Sequence, residues 1–150
     1  ICEIEQYHTE KSEYQSHAGR QFPNVNYTGM VWSGYRPSDD INKLGYNIPQ
    51  NVFAGVAFKY ITEMYAYNDE ITTRANKLFN DIKHGIETFG ICEWNGKPLY
   101  CFEVDGFGQT LMEDDANIPN AISMPYLDPT NMVHDKELYK NTREYSLSQE

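Results

Sequence analysis

The fold is decided by residues 49–86, which read PQNVFAGVAFKYITEMYAYNDEITTRANKLFNDIKHGI. Apolar residues recur there at spacings of three and four, the period of an amphipathic α-helix. The apolar positions are Val52, Phe53, Val56, Ala57, Tyr60, Ile61, Met64 and Tyr65, then Ile71, Ala75, Leu78, Phe79, Ile82 and Ile86. Pro49 and Asn51 are typical of a helix start, and Asn68-Asp69 predicts a turn. Because the connection is short, the two helices should pack antiparallel as a helical hairpin.

A β-hairpin is predicted directly after the two helices. Residues 91–105 are rich in strand formers on either side of Asn95-Gly96, the preferred pair for a type I′ turn. Side-chain alternation then places Glu103 and Asp105 on the face opposite the apolar residues. Of the two environments open to these acids, a pocket or solvent, the pattern alone favours solvent.

Two further helices are predicted beyond the hairpin. Asn117 followed by Ile118-Pro119 is typical of a helix start, which predicts a short helix that ends before Pro125. A polar helix is predicted from about Asp135 to Ser146. The pattern by itself therefore predicts a mainly α chain with a small β-hairpin.

Composition excludes several functional classes. A net charge of −10 argues against a nucleic-acid surface, because such surfaces rest on Lys and Arg that neutralise phosphates. The 150 residues contain no apolar run long enough to span a bilayer. The three cysteines have no CxxC spacing, and HExxH, GxSxG and Gly-rich phosphate loops are absent, so no metal or nucleotide cofactor is expected.

Upstream of the helices, residues 26–50 crowd aromatic, basic and acidic side chains among Gly and Pro. Trp32 and Tyr35 offer flat aromatic faces, Arg36 offers a bidentate cation, and Asp39-Asp40 offers paired acids. A neutral sugar is bound by such a set, because its apolar ring face stacks on aromatics and its hydroxyls bind carboxylates. The structural alternative is that Asp39 and Asp40 cap a helix with Arg36 as their counter-ion.

A second acidic group, Asp114 and Asp115, lies in a Gly- and Pro-rich stretch before Asn117. Only one of several neighbouring acids can cap a helix, and acidic crowding raises pKa values unless a ligand or cation compensates. Asp114 and Asp115 are therefore site candidates of their own.

Two long runs carry a family resemblance. Residues 26–40 read NYTGMVWSGYRPSDD and continue at 45–54 with GYNIPQNVFA, while residues 103–108 read EVDGFG and residues 114–127 read DDANIPNAISMPYL. In this order they resemble the central signature of glycoside hydrolase family 125, the metal-independent exo-α-1,6-mannosidases. The opening residues and the helices between the runs are similar as well, so the resemblance covers nearly the whole chain.

The resemblance implies an (α/α)6 barrel, a toroid of six helical hairpins, in which residues 1–150 form the central part of one partial catalytic domain. It implies cleavage of terminal α-1,6-linked mannose with inversion, no cofactor, and a mannose-containing oligosaccharide or N-glycan as substrate of a monomeric enzyme. The general acid would be Asp39 or Asp40, and the other aspartate would bind mannose hydroxyls. The implied subsite contacts are Trp32, Ser33, Arg36, Asp114, Asp115 and Asn117.

One departure from the family pattern concerns the second carboxyl group. An inverting glycosidase needs a general base about 6.5–9.5 Å from its acid. The family's base lies in a His-Glu-Ser motif that these residues lack, and an early Arg-Asp-Ser motif is missing too. We therefore expect the segment alone to be inactive. The alternatives are a non-catalytic carbohydrate-binding or scaffold module and another (α/α)6 glycosidase.

Overall fold

The computed structural model describes residues 24–129, 132 and 135–148. Two long helices, α1 (Ile48–Met64) and α2 (Asp69–Phe89), pack against each other across a short turn, which confirms the predicted hairpin. The Asn47 side chain caps α1 by accepting a hydrogen bond from the Gln50 N–H at 3.0 Å. Asn68 caps α2 in the same way.

The two helices differ in how their apolar residues are distributed. Helix α2 buries one stripe, Ala75, Leu78, Ile82, Gly85 and Ile86. Helix α1 buries Val52, Val56 and Phe58 but also leaves Phe53, Tyr60 and Met64 exposed at 50%, 44% and 67%. In the described part of the chain, α1 therefore shows an apolar side to solvent as well as to the core.

The predicted β-hairpin is present as β2 (Ile91–Trp94) and β3 (Lys97–Tyr100). Asn95 and Gly96 have φ values of 51° and 74°, as a type I′ turn requires. On the side of β3 away from β2, the Tyr100 N–H donates to Thr142 Oγ1 at 3.0 Å. A helix thus covers the outer side of this strand.

The predicted strand does not continue to residue 105. It breaks after Tyr100, and a second antiparallel sheet of β1 (Tyr46–Asn47), β4 (Glu103–Val104) and β5 (Thr110–Leu111) follows in the order β1-β4-β5. The preference for solvent-facing acids was wrong, because Glu103 is 0% and Asp105 1% exposed. Glu103 lies in β4 and Asp105 follows it directly, and Val104 between them is buried too, so alternation does not separate core from solvent here.

The next helix begins where the sequence predicted its end. Helix α3 (Met124–Leu127) carries Pro125 in its first turn, where a missing N–H costs no hydrogen bond. Residues 121–123 form a turn, and Asn117 bonds to Asp115 instead of capping a helix. The polar helix is confirmed as α4 (Lys136–Leu147), capped by Asp135.

The core lies between the helical hairpin, the two sheets and α3. Its largest fully buried side chains include Tyr46, Phe58, Phe102, Met30 and Ile48. Cys92 and Cys101 are free thiols, while Cys2 lies outside the described residues. No helix in the described ranges combines the length and the apolar character needed to cross a bilayer.

Candidate functional site

A tight turn presents the first acid pair at the surface. Tyr35 and Ile41 form an isolated antiparallel bridge, and within it the Arg36 N–H donates to the Asp40 carbonyl at 2.8 Å. The Asp39 N–H returns a bond to the Arg36 carbonyl at 3.1 Å. Asp39 has a φ of 65°, a left-handed conformation that costs energy for any residue with a side chain. Both aspartates are exposed at the tip of this turn.

The second acidic segment lies beside the same turn. Ser38 Oγ is 2.7 Å from Asp115 Oδ2 and 3.1 Å from Asp40 Oδ2. A hydroxyl carries one proton, so Ser38 donates to one carboxylate at a time, and the Asp115 contact is the shorter. Asp115 Oδ1 accepts from the Asn117 N–H at 2.9 Å and from its Nδ2 at 2.8 Å. The structure thus brings together five of the predicted site residues: Asp39, Asp40, Asp114, Asp115 and Asn117.

Hydrogen-bond donors compensate the crowding of these acids. Asp114 Oδ1 accepts from the N–H groups of Asp115 and Ala121 at 3.0 and 2.9 Å. Burial opposes ionisation of Asp115, but the bonds from Ser38 and Asn117 outweigh it and hold the pKa of Asp115 below its ordinary value. At Asp115 crowding therefore does not raise the pKa. This side chain presents an ionised acceptor at neutral pH.

Arg36 lies beneath the turn in a buried ion cluster. Its Nε donates to Glu103 Oε1 at 2.6 Å, and its Nη1 and Nη2 donate to the two oxygens of Glu113 at 3.3 and 3.1 Å. The guanidinium also lies over the Phe102 ring, with its carbon 5.0 Å from the centroid. Burial works against the charge, but the bonds to Glu113 and Glu103 keep the pKa of Arg36 above its ordinary value. Its counter-ions are therefore Glu103 and Glu113, not Asp39 and Asp40.

Glu113 forms the outer rim of this cluster. Its side chain is 37% exposed, and Oε2 also accepts from Lys43 Nζ at 3.1 Å. The hydrogen bond from Arg36 is the main reason that the pKa of Glu113 lies below its ordinary value, with Lys43 adding to the effect. Glu113 is thus ionised and held between two cations.

The remaining predicted residues shape the loop from below. Trp32 is 5% exposed and belongs to the core, with its ring against Gly45. Ser33 Oγ donates to the Tyr35 carbonyl at 2.7 Å, and the Ser33 N–H donates to the Gly45 carbonyl at 3.0 Å. Of the two aromatics, Tyr35, which is 37% exposed, is the one at the surface.

Sequence reasoning missed the groups that hold the site together. Glu103, Glu113 and Lys43 were not candidates, and Asn42, which is fully buried, bonds the Ser33 carbonyl through Nδ2 at 2.9 Å. One signal was available: Glu103 stands between Phe102 and Val104, and an acid flanked by apolar strand residues needs donors or a cation wherever it is buried.

Three findings relate the chain to known proteins. The family model described as metal-independent α-mannosidase, GH125, matches residues 3–150. The Meiotically up-regulated gene 157 protein of Schizosaccharomyces pombe is 38% identical over 137 residues, which cover 89% of this chain and 26% of that protein. A structure of a Streptococcus pneumoniae metal-independent α-mannosidase, described as a non-productive substrate complex with α-1,6-mannobiose, is 36% identical with a TM-score of 0.78.

The structural match covers 85% of this chain and 31% of the pneumococcal chain. The chain therefore spans about a third or less of the length of these relatives. The helix-rich architecture with small sheets is therefore shared with part of that α-mannosidase. Within the described residues, no three His, Cys, Asp or Glu side chains are grouped so that they could hold a metal ion.

Proposed function

The chain belongs to glycoside hydrolase family 125, the metal-independent α-mannosidases, and we propose that it is part of an exo-acting α-1,6-mannosidase that inverts configuration. The substrate is a mannose-containing oligosaccharide or N-glycan, cleaved at its non-reducing end. The pneumococcal relative, which was solved with α-1,6-mannobiose, supports this linkage.

The observation that carries the proposal is the convergence of the two signature runs. The turn at residues 36–40 and the segment at residues 113–117 come from distant parts of the chain and meet at the Ser38 hydroxyl. The result is a surface of ionisable acids with polar neighbours, which suits a ligand rich in hydroxyl groups. Asp114, Asp115 and Asn117 bind these hydroxyls, while Arg36, Trp32 and Ser33 support the site from beneath.

The general acid is one of Asp39 and Asp40. It donates a proton to the glycosidic oxygen as the bond to mannose breaks, while the other aspartate stays ionised and accepts bonds from mannose hydroxyls. Ser38 Oγ lies 3.1 Å from Asp40 Oδ2 and 2.7 Å from Asp115 Oδ2, so the Asp39-Asp40 pair lies directly beside the second acidic segment.

The general base comes from outside these residues. The buried Glu103 and the rim Glu113 are both committed to Arg36, so neither is available to activate a water. Glu103 in particular is fully buried. On this proposal, the segment alone binds part of the sugar and does not hydrolyse it.

The rest of the barrel also lies outside these residues. The exposed apolar side chains of α1 are Phe53, Tyr60 and Met64, at spacings that place them on one stripe of the helix. A further helix packed on that stripe would bury it, as the successive hairpins of an (α/α)6 barrel do. Residues 1–150 are then one section of a single catalytic domain.

The test is turnover of α-1,6-mannobiose by the longest natural form of the protein, followed by NMR of the released anomer. We expect β-mannose first, and we expect Asp39→Asn or Asp40→Asn to lower kcat by about 100-fold or more for whichever residue is the acid. A folded wild-type protein that releases no mannose would contradict the enzyme and leave a carbohydrate-binding or scaffold module.

An activated substrate separates the roles of the two aspartates. Dinitrophenolate leaves without a proton, so the acid variant should retain most of its turnover of dinitrophenyl α-mannoside. The variant that has lost a hydroxyl contact should turn over both substrates poorly. Hydrolysis of a different glycoside in preference to mannobiose would indicate another specificity.

A further inference from the structure

We propose that Glu103 is a positioning residue that fixes the loop carrying the catalytic aspartate, an inference that rests on the function proposed above. Glu103 lies in β4 and is 0% exposed. Its Oε1 accepts from Arg36 Nε at 2.6 Å, and its Oε2 accepts from the N–H groups of Lys43 and Leu44 at 2.7 and 2.9 Å. A single carboxylate therefore holds both ends of the loop formed by residues 36–44.

The carboxylate is itself held by the sheet. In β4, Glu103 lies opposite Asn47 of β1 on one side and Leu111 of β5 on the other. Its backbone position is therefore set by two neighbouring strands. Glu103 therefore fastens the loop to the sheet.

The fixed end of the loop is linked directly to the acids. The backbone N–H of Arg36 bonds the Asp40 carbonyl, and the Arg36 carbonyl accepts from the Asp39 N–H. Because Glu103 and Glu113 hold the guanidinium, they also restrict the backbone of Arg36, and through it the turn. The left-handed conformation of Asp39 needs such a restraint to persist.

Core packing alone does not account for a charge at this position. Replacing a buried ion pair with apolar residues of similar volume is often neutral or stabilising, so burial of Glu103 and Arg36 is a weak source of stability. The buried charges provide directional hydrogen bonds, because carboxylate oxygens accept only from donors in particular places. An apolar residue at position 103 could fill the space but could not fix the geometry of the loop.

The experiment compares two substrates in three variants of the longest natural form. The proton-requiring substrate is α-1,6-mannobiose, and the substrate with an activated leaving group is dinitrophenyl α-mannoside. The variants are Glu103→Gln, Glu113→Gln on the rim of the same cluster, and Glu144→Gln on α4, whose carboxylate pairs with Lys97 of β3. A change in folded fraction lowers both rates equally, whereas a misplaced acid lowers mainly the first.

We expect Glu103→Gln to lower kcat on mannobiose by about 100-fold, the effect of a displacement of roughly 1 Å, with KM changed little. On the dinitrophenyl substrate its kcat should stay within about fivefold of wild type, since no proton is needed there. Glu113→Gln should show the same pattern more weakly, and Glu144→Gln should keep the wild-type ratio of the two rates. Hydrogen exchange at the Lys43 and Leu44 amides should accelerate only in Glu103→Gln.

Equal losses on the two substrates, or no loss on either, would overturn the positioning role while leaving the mannosidase intact. A wild-type protein inert on both substrates would instead overturn the proposed function. Should Glu103→Gln fail to fold, Arg36→Lys keeps the cation but cannot span both carboxylates, and the same ratio is measured there.

Discussion

The two ends of the loop formed by residues 36–44 carry charge in opposite ways. At the buried base, Arg36 and Glu103 satisfy each other in an environment that excludes water. At the tip, Asp39 and Asp40 are exposed, and Asp39 is held in a left-handed conformation. The difference shows that the type of a charged residue does not reveal its task. The buried charges fix geometry, and the exposed charges stay available to a ligand.

Removing the buried carboxylate is expected to have the largest effect on stability. Glu103→Ala leaves Arg36 with one counter-ion and leaves the Lys43 and Leu44 amides without their acceptor. Breaking a buried pair in this way costs about 3–5 kcal/mol of unfolding free energy. Chemical denaturation of the longest natural form measures the loss.

The matched control is Glu144→Ala, which removes a carboxylate paired with Lys97 at 2.9 Å on the surface and should leave the denaturation midpoint unchanged. An equal shift in the two variants would mean that the buried carboxylate contributes no more to stability than a surface one. It would contradict the proposed difference between the base and the tip of the loop.

Local patterns predicted the parts of the fold that local chemistry determines. Helical periodicity located α1 and α2, and Asn95-Gly96 located the β2–β3 hairpin. The boundary of α3 was missed because Pro125 can end a helix or stand in its first turn, and the sequence does not distinguish the two. Tertiary context made that choice.

The candidate site could be predicted only as two separate stretches. Arg36 and Glu103 are 67 residues apart, and no periodicity connects them, so their pairing could not be predicted from the sequence. The pairing of Ser38 with Asp115 spans 77 residues in the same way. Residue types and the family resemblance both indicated the two stretches, and the structure showed that they meet.

A substitution at the tip should have a smaller effect on stability, of opposite sign. Asp39 has a φ of 65°, which Gly adopts without strain, so Asp39→Gly should raise the unfolding free energy by about 0.5–1 kcal/mol while lowering mannobiose turnover. Asp40→Gly is the control, since it deletes a neighbouring carboxylate without relieving strain at Asp39. If Asp39→Gly destabilised the protein, the Asp39 side chain would make a stabilising contact. Base and tip of the loop would then no longer differ in the sign of their effect on stability.

Removing the rim carboxylate, Glu113, should change the stability of the protein by an amount that depends on pH. The pKa of Glu113 lies below the ordinary 4.5, chiefly because of its hydrogen bond from Arg36, so its contribution to stability is fully present above about pH 4.5 and is lost as pH falls through the lower folded value. The stability difference between wild type and Glu113→Gln should therefore be constant from pH 6 to 8 and shrink below about pH 4.5. Thermal melts across this range measure it. A difference that grew on acidification would contradict the assigned direction.

The smallest expected effect comes from the hydroxyl that joins the two segments at the tip. Ser38→Ala removes the 2.7 Å contact with Asp115, and the pKa of Asp115 should move upward toward its ordinary value, because one of the bonds that lower it is gone. The two bonds from Asn117 remain, so the shift should be partial. Carbon NMR of labelled aspartate carboxyls measures it, with Ser146→Ala in α4 as the control. An unchanged pKa would mean that Ser38 gives its proton to Asp40 instead, and the tip would then be joined through the candidate catalytic pair itself.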